Sequence, residues 1–440
     1  MKTPNRRPGA MPAGADKQQE ASPANSKVLT RRSLRHSLRE SIESSLQALW
    51  YPRTERGGLC STLLLPLSYV YARIVKRKLV QRLSPGFDDA MRPDCLVVVV
   101  GNITVGGTGK TPFLLKLAET LHTREYSFAV LSRGYGGSHV AHSDQPRWVS
   151  VDDDAAVVGD EPLLLATEIA RFTDDTRPAV MIGAKRKQAM QKVLAERAAL
   201  GVRTDVILSD DGLQHYALAR DVEFAVVDDA RRFGNRRLLP AGPLREPVAR
   251  LQLCDTIILN GAAASGTLAL EGQAALGMQL HLSAFRPLAL PAANDPRQHS
   301  TESFAQALER ADTVIAVAAL GNPRRFFDAL RELLQKTAPG KKLACAAFAD
   351  HHAYCLADFE HLAGEHKGAG EAVFIMTGKD AVKCRQFADS MPLPSGVAEV
   401  EVDVHGSAFT AVFSGLQQLS AWREAQNRSL LSTAADDASA

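Results

Sequence analysis

An unbroken run of five apolar residues that leads directly into a glycine-rich turn is the feature that most constrains this chain. Residues 96–100 read LVVVV, and residues 101–112 read GNITVGGTGKTP. A continuous apolar run of this length predicts a strand buried on both faces of a parallel sheet. A helix is predicted over residues 110–123, and a glycine-rich turn between a buried strand and a helix is the context of a phosphate-binding P-loop.

The residues of this predicted P-loop have separate tasks in phosphate binding. Glycines let backbone N–H groups surround phosphate oxygens, Lys110 is placed to reach the β and γ phosphates, and Thr111 to coordinate Mg²⁺. Thr104 stands where the pattern G-x-x-x-x-G-K-[ST] has its first glycine. The alternative is a glycine-rich turn without a ligand. The predicted nucleotide-binding residues are Thr104, Val105, Gly106, Gly107, Thr108, Gly109, Lys110 and Thr111.

Two adjacent acids provide a predicted metal site. Asp210 and Asp211 lie in TDVILSDDGLQH (residues 204–215), where they follow a predicted strand. P-loop NTPases hold Mg²⁺ with a carboxylate at the end of a strand beside the P-loop strand, and a cation relieves repulsion between neighbouring acids. We therefore predict that Thr111, Asp210 and Asp211 bind the metal. The alternative is that the two acids cap a loop or a helix.

Alternating strand and helix patterns predict an α/β fold. Further strands are predicted at residues 127–131, 206–208, 224–227 and 256–259. Helices are predicted between several of them, at 161–171 and 186–200. This alternation favours a P-loop NTPase-like parallel sheet flanked by helices. A second series predicts a smaller α/β domain across a cleft, with strands at 313–320 and 372–376 and a helix at 324–335.

These patterns divide the chain into six predicted segments. Residues 277–303 combine alternation with prolines, which predicts a short strand pair and a linker. The predicted order is a disordered or helical extension (1–45), an amphipathic membrane-associated helix region (46–86), a P-loop domain (87–285), a linker (286–305), a smaller α/β domain with a C-terminal helix (306–425) and a disordered tail (426–440).

The N-terminal part of the chain is strongly basic, unlike the rest. Residues 1–86 contain 16 Lys and Arg against 5 Asp and Glu, a net charge of +11, whereas the remaining residues carry −8. Within residues 59–83 an apolar, aromatic half precedes a basic half, which suits a segment lying on an anionic membrane. The alternatives are an ordinary amphipathic helix and a solvated tail. Leucines at spacings of three and four also predict a helix over residues 31–49.

Composition excludes several classes of protein. No stretch reaches the ~18 apolar residues of a spanning helix, and the N-terminal residues lack the apolar core of a secretory signal. The six cysteines include no C-x-x-C pair and are expected to be reduced cytosolic thiols. His351 and His352 lie near Cys345 and Cys355, but no further ligands cluster there. We therefore predict no zinc site. We also predict no nucleic-acid partner.

Beyond the P-loop, a series of blocks resembles the tetraacyldisaccharide 4'-kinase (lipid A 4'-kinase) family. The blocks are GNITVGGTGKTP, SRGYGG (132–137), VGDEPLLLA (158–166), SDDGLQH (209–215), LLPAGPLREP (238–247), LGNPRRFF (320–327), FADHHAY (348–354) and MTGKDAVKC (376–384). An ordered series of this kind, covering about residues 46–421, is far more specific than a single motif. Two positions depart from it: Gly378 replaces the family's usual Glu, and Ala319-Leu320 replaces Gly-Ile before GNP.

The resemblance implies a reaction and its setting. It implies that ATP, with Mg²⁺, phosphorylates the 4'-hydroxyl of tetraacyldisaccharide 1-phosphate, a lipid A precursor in lipopolysaccharide biosynthesis. The implied partners are this acylated glucosamine disaccharide phosphate lipid and the anionic inner leaflet of a Gram-negative inner membrane. The implied location is peripheral, on the cytoplasmic face, with the basic N-terminal segment as the membrane-docking element.

The resemblance also implies roles for individual residues. Asp160 would be the catalytic base, His351 of the second domain would polarise it after domain closure, and Lys110 would neutralise phosphate charge. From the residues alone, a cap on the helix that begins at Glu161 is the alternative for Asp160. The implied substrate-binding residues are Arg133, Tyr135, Glu161, His215, Arg245 and Glu246.

Three other functions match parts of the sequence. A membrane-associated P-loop ATPase switch without a lipid acceptor does not explain the presence of GDEP, ADHH and the second domain. A GTP-binding protein commonly uses N-K-x-D, and the nearest string, TGKD (377–380), has the wrong spacing. A soluble small-molecule kinase does not account for the basic amphipathic segment. Dependence of ATP turnover on an acylated disaccharide separates these functions.

Overall fold

The predicted P-loop strand, β1 (Leu96–Gly101), lies in the interior of a mixed sheet of 13 strands in the computed structural model of the chain. The structure describes residues 46, 49–51, 61–82, 93–173, 177–289, 299–368 and 370–437. The predicted extension over residues 1–45 lies outside the described residues, as does nearly all of the predicted helix over residues 31–49.

Strands and helices alternate along most of the described chain, which confirms the predicted α/β class. The other strands are β2 (Phe128–Ser132), β3 (Arg147–Trp148), β4 (Val180–Ile182), β5 (Val206–Asp210), β6 (Val222–Asp228), β7 (Thr256–Asn260), β8 (Thr267–Leu270), β9 (Gln273–Pro287), β10 (Thr313–Ala318), β11 (Lys342–Ala347), β12 (Ala372–Met376) and β13 (Ser395–Val404). The helices are α1 (Leu65–Arg82), α2 (Lys110–Thr123), α3 (Ser138–His142), α4 (Ala155–Val158), α5 (Asp160–Phe172), α6 (Arg186–Ala199), α7 (His299–Arg310), α8 (Pro323–Thr337), α9 (Leu356–Glu365), α10 (Gly378–Cys384) and α11 (Thr410–Asp437).

The strand order brings several strand ends together beside the P-loop. β1 pairs in parallel with β5 on one side and with β6 on the other, and β6 pairs in parallel with β7. The full order is β11-β10-β12-β13-β9-β7-β6-β1-β5-β2-β4-β3, with β8 paired to β9. Because these central strands run parallel, their carboxyl ends meet at one edge, where open α/β sheets bind their ligands.

Side chains of β1 alternate between two apolar clusters on opposite faces of the sheet. Val98 and Val100 belong to the cluster that contains Phe113 of α2, whereas Val97 and Val99 belong to the opposite cluster. All four valines are completely buried, which explains why the strand reads as one continuous apolar run. Burial of each such side chain contributes roughly 1.5–3 kcal/mol, so the strand that carries the P-loop is firmly anchored.

Two long antiparallel strands connect the halves of the sheet. β9 pairs with β7 of the P-loop half and, over most of its 15 residues, with β13. Residues 277–287 therefore belong to one long strand, and the described residues of the region 277–303 do not form the expected short strand pair, because the partner β13 comes from a distant part of the chain. The division into domains at 87–285 and 306–425 stays a prediction, since both segments contribute strands to this one sheet.

Most predicted elements match the observed ones to within about two residues, the usual uncertainty of element ends. Five strands were not predicted: β3, β4, β8, β11 and β13. β4 has three residues, and β11 is a half-exposed edge strand. α11 continues to Asp437, into residues 426–440, where a disordered tail was expected. Its alanines and leucines favour helix, which accounts for the difference.

The helix α1 is the described part of the predicted amphipathic segment. It rests on the 238–247 block: the Ser68 hydroxyl donates to the carbonyl oxygen of Leu238 (2.9 Å), and the Tyr71 hydroxyl donates to that of Arg245 (3.0 Å). Exposed apolar side chains line its outer side and the turn before it: Leu63, Leu67, Tyr69, Val70, Ile74 and Val80. Within the described part of the chain, no helix combines the length and apolar character needed to cross a bilayer.

Candidate active site

The predicted phosphate loop ends where α2 begins. Lys110 is the first residue of α2, and Gly109 precedes it with φ +93°, a conformation that favours glycine. A Cβ built on Gly109 would lie 2.4 Å from Nδ2 of Asn260, at the end of β7. Asn260 Nδ2 donates to the carbonyl oxygen of Thr108 (3.0 Å), which holds the loop from the side. Glycine is therefore required at position 109 by both backbone conformation and space.

The first part of the loop is held by the 238–247 block. Val105 N donates to the carbonyl oxygen of Pro243 (2.8 Å), and Arg245 N donates to that of Ile103 (2.7 Å). Thr104, which stands where the P-loop pattern has glycine, is buried and forms a β-bridge with Leu244. Because its backbone is paired in this way, the position does not need the conformational freedom of glycine.

Asp211 links the P-loop lysine to this same block. Its Oδ1 lies 3.4 Å from Nζ of Lys110, and its Oδ2 accepts a hydrogen bond of 2.8 Å from Nη1 of Arg245. Burial acts to raise the pKa of Asp211, but Lys110 and Arg245 hold that pKa well below its usual range. The carboxylate is therefore ionised and neutralised by cations of the protein.

Asp210, at the end of β5, has a different environment. It is buried, and its Oδ2 accepts a hydrogen bond of 3.2 Å from the Ser132 hydroxyl. Burial, together with the charges of Glu161 and Asp211, raises the pKa of Asp210 to about 7 despite the nearby cations. A buried carboxylate with a raised pKa suits a divalent cation, whose charge would stabilise the ionised form.

Close backbone packing places Asp160 beside the SRGYGG loop. Gly159 precedes α5 with φ +95°, and a Cβ there would lie 2.7 Å from the carbonyl oxygen of Tyr135. Gly137 is equally tight, because its Cβ would lie 2.5 Å from the carbonyl oxygen of Val157. Glycines at both positions let the two turns touch, so the first residue of α5 reaches the same edge of the sheet as the P-loop.

Asp160 and His351 form a direct contact across the sheet edge. His351 Nδ1 lies 3.0 Å from Asp160 Oδ2, and because an ionised carboxylate only accepts, the imidazole donates. Burial acts to raise the pKa of Asp160, but the hydrogen bond from His351 and the charges of Lys379 and Lys383 lower it to about 2. The hydrogen bond from Asp160 in turn raises the pKa of His351.

The contacts of Asp160 agree only in part with the alternative that this residue caps a helix. Its Oδ1 accepts from the backbone N–H of Glu161 (3.1 Å), as a helix-terminal acid does, yet the N-cap position itself is Gly159. The other oxygen faces His351, whose backbone has φ +60°, an uncommon conformation for a non-glycine residue. The Tyr135 ring stands edge-on to the imidazole, with ring centroids 6.0 Å apart. A residue with only a capping role would not need this second set of contacts.

Two lysines near Asp160 were not predicted. Nζ of Lys379 lies 3.6 Å from Asp160 Oδ2, and Nζ of Lys383 lies 3.9 Å from the same oxygen. Both lysines belong to α10, which packs against α5. In the sequence, Lys379 belongs to the MTGKDAVKC block and to a string that fails to complete an N-K-x-D pattern, and no spacing rule connects it to Asp160.

His215 lies among arginines. Its side chain is partly buried, and burial together with the charges of Arg186 and Arg133 lowers the pKa of His215 to about 4. Arg186 is buried, donates to the carbonyl oxygens of Gly183 and Asp210, and has an Nε without a hydrogen-bond partner. No motif marked Arg186 in advance, because it stands at the start of an ordinary helix, α6. This group of residues has the positive charge and donors that an anion requires.

Glu246, which follows Arg245 in the chain, belongs to a buried network of hydrogen bonds. It is completely buried, accepts from Gln214 Nε2 (2.7 Å) and from the Tyr216 hydroxyl, and lies 3.4 Å from Nε of Arg250. The substrate role implied for Glu246 stays a prediction, and these contacts place it as a support for its neighbour Arg245. Glu161, by contrast, has a half-exposed side chain 4.0 Å from Lys379 Nζ.

The fold and this site define a P-loop NTPase-like protein, with a phosphate loop, a carboxylate pair and a carboxylate–histidine contact at one edge of its sheet. The family model for tetraacyldisaccharide-1-P 4'-kinase matches residues 60–417. The chain belongs to that family, which confirms the resemblance drawn from its sequence.

Individual relatives support the same conclusion. A tetraacyldisaccharide 4'-kinase of Ectopseudomonas mendocina is 39% identical over 366 residues, covering 81% of this chain and 96% of the relative. One from Pseudomonas syringae pv. syringae is 41% identical over 342 residues, covering 77% and 88%. A crystal structure of LpxK from Aquifex aeolicus, described as an "apo" form in complex with ATP, aligns with a TM-score of 0.56 and 23% identity over 80% of this chain and 97% of that one. This last similarity supports the fold.

Proposed function

We propose that this chain transfers the γ-phosphoryl group of ATP to the 4'-hydroxyl of tetraacyldisaccharide 1-phosphate. The observation that carries the proposal is the 3.0 Å contact between Asp160 and His351, beside a P-loop whose lysine contacts Asp211. Phosphoryl transfer to a hydroxyl needs a charge-neutralising phosphate site and a group that accepts the hydroxyl proton. The name of the family identifies the acceptor lipid, and the site contains residues for both charge neutralisation and proton acceptance.

Asp160 is suited to be the proton acceptor. Its Oδ2 is occupied by His351, whereas Oδ1 accepts, among the residues that the structure describes, the backbone N–H of Glu161 alone and has a remaining lone pair. In the proposed step, Oδ1 takes the hydroxyl proton while the hydroxyl oxygen bonds to the γ-phosphorus. The bond between that phosphorus and the β–γ bridging oxygen breaks, and ADP leaves. His351 keeps the carboxylate oriented throughout.

Mg²⁺ fits the residues present. Asp210 is a buried carboxylate whose pKa is raised by burial and by the charges of Glu161 and Asp211, and Thr111 follows the P-loop lysine at the start of α2. Asp210 and Thr111 would hold the ion, with Asp211 nearby but already engaged by Lys110 and Arg245. When bound, Mg²⁺ neutralises charge on the β and γ phosphates. The implied roles of Asp210, Asp211 and Thr111 as ligands remain part of this proposal.

The cationic groups next to the carboxylates suit an anionic substrate. Arg133 is exposed in the SRGYGG loop, Tyr135 is 56% exposed beside His351, and the low pKa of His215 keeps its imidazole neutral. A neutral imidazole can both donate and accept, which suits the hydroxyls of a sugar. We assign Arg133, Tyr135, His215 and Arg245 to the phosphorylated disaccharide, with Glu161 at its edge.

The direct test is the dependence of ATP turnover on the acceptor. With radiolabelled ATP, Mg²⁺ and an acylated disaccharide 1-phosphate, we expect label in a bisphosphorylated lipid and almost none in free phosphate. Omitting Mg²⁺ should abolish the transfer. A maltoside detergent without the lipid serves as the matched blank. Equal ATP hydrolysis with and without the acceptor would contradict the proposal and favour the membrane-associated ATPase switch.

We also propose that the protein works as a peripheral protein on the cytoplasmic face of the inner membrane, with α1 as the docking element. Leu67, Val70 and Ile74 are each more than half exposed and follow one another at spacings of three and four residues. Basic residues occupy the second half of the same helix. Apolar side chains that enter the acyl boundary, with lysines and arginines at anionic headgroups, are the physics of an interfacial helix.

Replacing Leu67, Val70 and Ile74 by serine should weaken binding to anionic vesicles by about 10- to 100-fold, since each side chain forfeits on the order of 1 kcal/mol of burial. Cosedimentation with phosphatidylglycerol-containing vesicles measures this. The matched control replaces three exposed apolar residues elsewhere, Leu200, Leu268 and Val400, and should bind normally. Equal binding of both triple variants would exclude α1 as the docking element.

A further inference from the structure

A single ammonium group lies within reach of three carboxylates around the proposed base. Nζ of Lys379 is 3.3 Å from Oδ1 of Asp350, 3.6 Å from Oδ2 of Asp160 and 4.0 Å from Oε1 of Glu161. Its side chain is 16% exposed, so these charges interact with little screening by solvent. One cation therefore connects three elements: α5, α10 and the loop that carries His351.

The neighbouring lysine has a different partner. Nζ of Lys383 lies 3.4 Å from Oδ1 of Asp380 and 3.9 Å from Asp160. Asp380 is completely buried and accepts hydrogen bonds from Ala319 N and the Thr377 hydroxyl. Lys383 therefore mainly neutralises the buried carboxylate of Asp380, whereas Lys379 mainly contacts the acids at the edge of the sheet.

We propose that Lys379 is a positioning residue of the phosphoryl transfer, which keeps Asp160 and His351 in contact and neutralises the acids around them. This inference rests on the proposed function, because it assigns Lys379 a task toward the same base. Without the ammonium group, Asp160, Glu161 and Asp350 would repel one another. Because Asp350 accepts the backbone N–H of His351 (3.0 Å), that repulsion would move the His351 loop away from α5.

The transfer itself gives a second reason for a cation at this place. The acceptor hydroxyl must lie between the base and the γ-phosphate, so the Asp160 carboxylate and the transferring phosphoryl group, both anionic, approach the same oxygen. A fixed ammonium group beside the carboxylate reduces this repulsion most in the transition state. The removal of its charge should therefore lower kcat more than it raises the KM for ATP.

The charge of Lys379 also has a predictable effect on pH dependence. The groups that face Asp160 are His351, Lys379, Lys383 and Glu161, with Asp350 behind Lys379 and Asp380 behind Lys383. Lys379 and His351 are among the groups that lower the pKa of Asp160, so loss of the ammonium group raises that pKa. Because that pKa starts from about 2, the Asp160 carboxylate of an uncharged variant stays ionised near neutral pH, and its relative activity falls only under acidic conditions that approach the raised pKa.

The test compares Lys379→Met and Lys379→Gln, which lose the charge, with Lys379→Arg, which keeps it. We expect the uncharged variants to lose on the order of 10- to 100-fold in kcat, the scale of a small misplacement of catalytic groups. Their KM for ATP should be nearly unchanged. Lys379→Arg should retain most of the natural kcat, whereas Lys379→Met and Lys379→Gln should not. Lys367→Met, at an exposed lysine just after α9, is the control.

Thermal unfolding and ATP binding verify that each variant is folded, and Gln retains hydrogen bonding if Met destabilises the site. Natural kcat in a folded uncharged variant would overturn the proposal. An equal loss in Lys379→Arg, or a rise in the KM for ATP as large as the fall in kcat, would also overturn it, because a purely structural role predicts that result. By contrast, if the natural protein did not phosphorylate the lipid, the proposed function itself would be wrong. That measurement needs no variant.

Discussion

Lys110→Ala should reduce phosphoryl transfer by about 10³-fold or more while the protein stays folded. Lys110 begins α2 immediately after the phosphate loop, and its ammonium group is the cation expected to neutralise the β and γ phosphates. Loss of one fixed charge or donor aimed at the transition state commonly costs about 10²- to 10³-fold, and phosphate charge makes the loss larger. Initial rates at saturating ATP and lipid acceptor measure the effect.

The same helix offers a matched control. Lys116 lies on the outer side of α2, where it pairs only with Glu119 at 2.9 Å. An exposed pair of this kind contributes little to stability, so Lys116→Ala should leave both the fold and the rate almost unchanged. A folded Lys110→Ala variant with turnover close to that of Lys116→Ala would remove the assignment of residues 101–112 as a catalytic P-loop.

Asp160→Asn should lower kcat by about 10²- to 10⁴-fold, the usual contribution of general acid–base catalysis. Asparagine has nearly the shape of aspartate and is about as good at helix N-termini, so a helix-terminal role would be preserved. Only the ability to take the hydroxyl proton is lost. ATP affinity, measured by calorimetry, should survive because the phosphate loop is not changed. A rate near that of the natural protein would assign Asp160 to the helix terminus alone.

The contact between Asp160 and His351 predicts how their losses combine. His351→Ala should also lower kcat, and the double variant should lose less than the product of the two single losses, because residues that act as a unit are not additive. The 3.0 Å separation of Nδ1 and Oδ2 is well within the range where such coupling is measured. Multiplicative losses would show that the two residues act independently, and the proposed pair would be wrong.

The first half of the fold could be predicted because its signals are local. Residues 96–100 form a strand buried on both faces, and such strands read as continuous apolar runs between glycine-rich turns and amphipathic helices. The helix after the P-loop was predicted with the observed bounds, Lys110–Thr123. Each of these patterns depends on a few consecutive residues and on the face that they bury.

The connection between the two halves of the sheet could not be predicted in the same way. β9 and β13 are joined by backbone hydrogen bonds between residues more than a hundred positions apart, such as Met278 and Val404. Their outward faces are half-exposed and mixed in polarity. Alternation indicated a strand in the region of β9 without indicating its partner, and β13 was not predicted. Strand pairing is set by which faces are buried after the chain has folded, and that is not a local property.

The sequence by itself determined the P-loop, the acids at the end of β5, the fold class and the family. These features depend on short motifs whose chemistry requires particular residues at fixed spacings. Only the tertiary structure distinguished Asp211, engaged by Lys110 and Arg245, from Asp210, whose pKa is raised to about 7 by burial and neighbouring acids. Only the tertiary structure placed Lys379 near Asp160. The reason is physical: the strength of an electrostatic interaction depends on distance and burial, and both are set by elements that lie far apart in the chain.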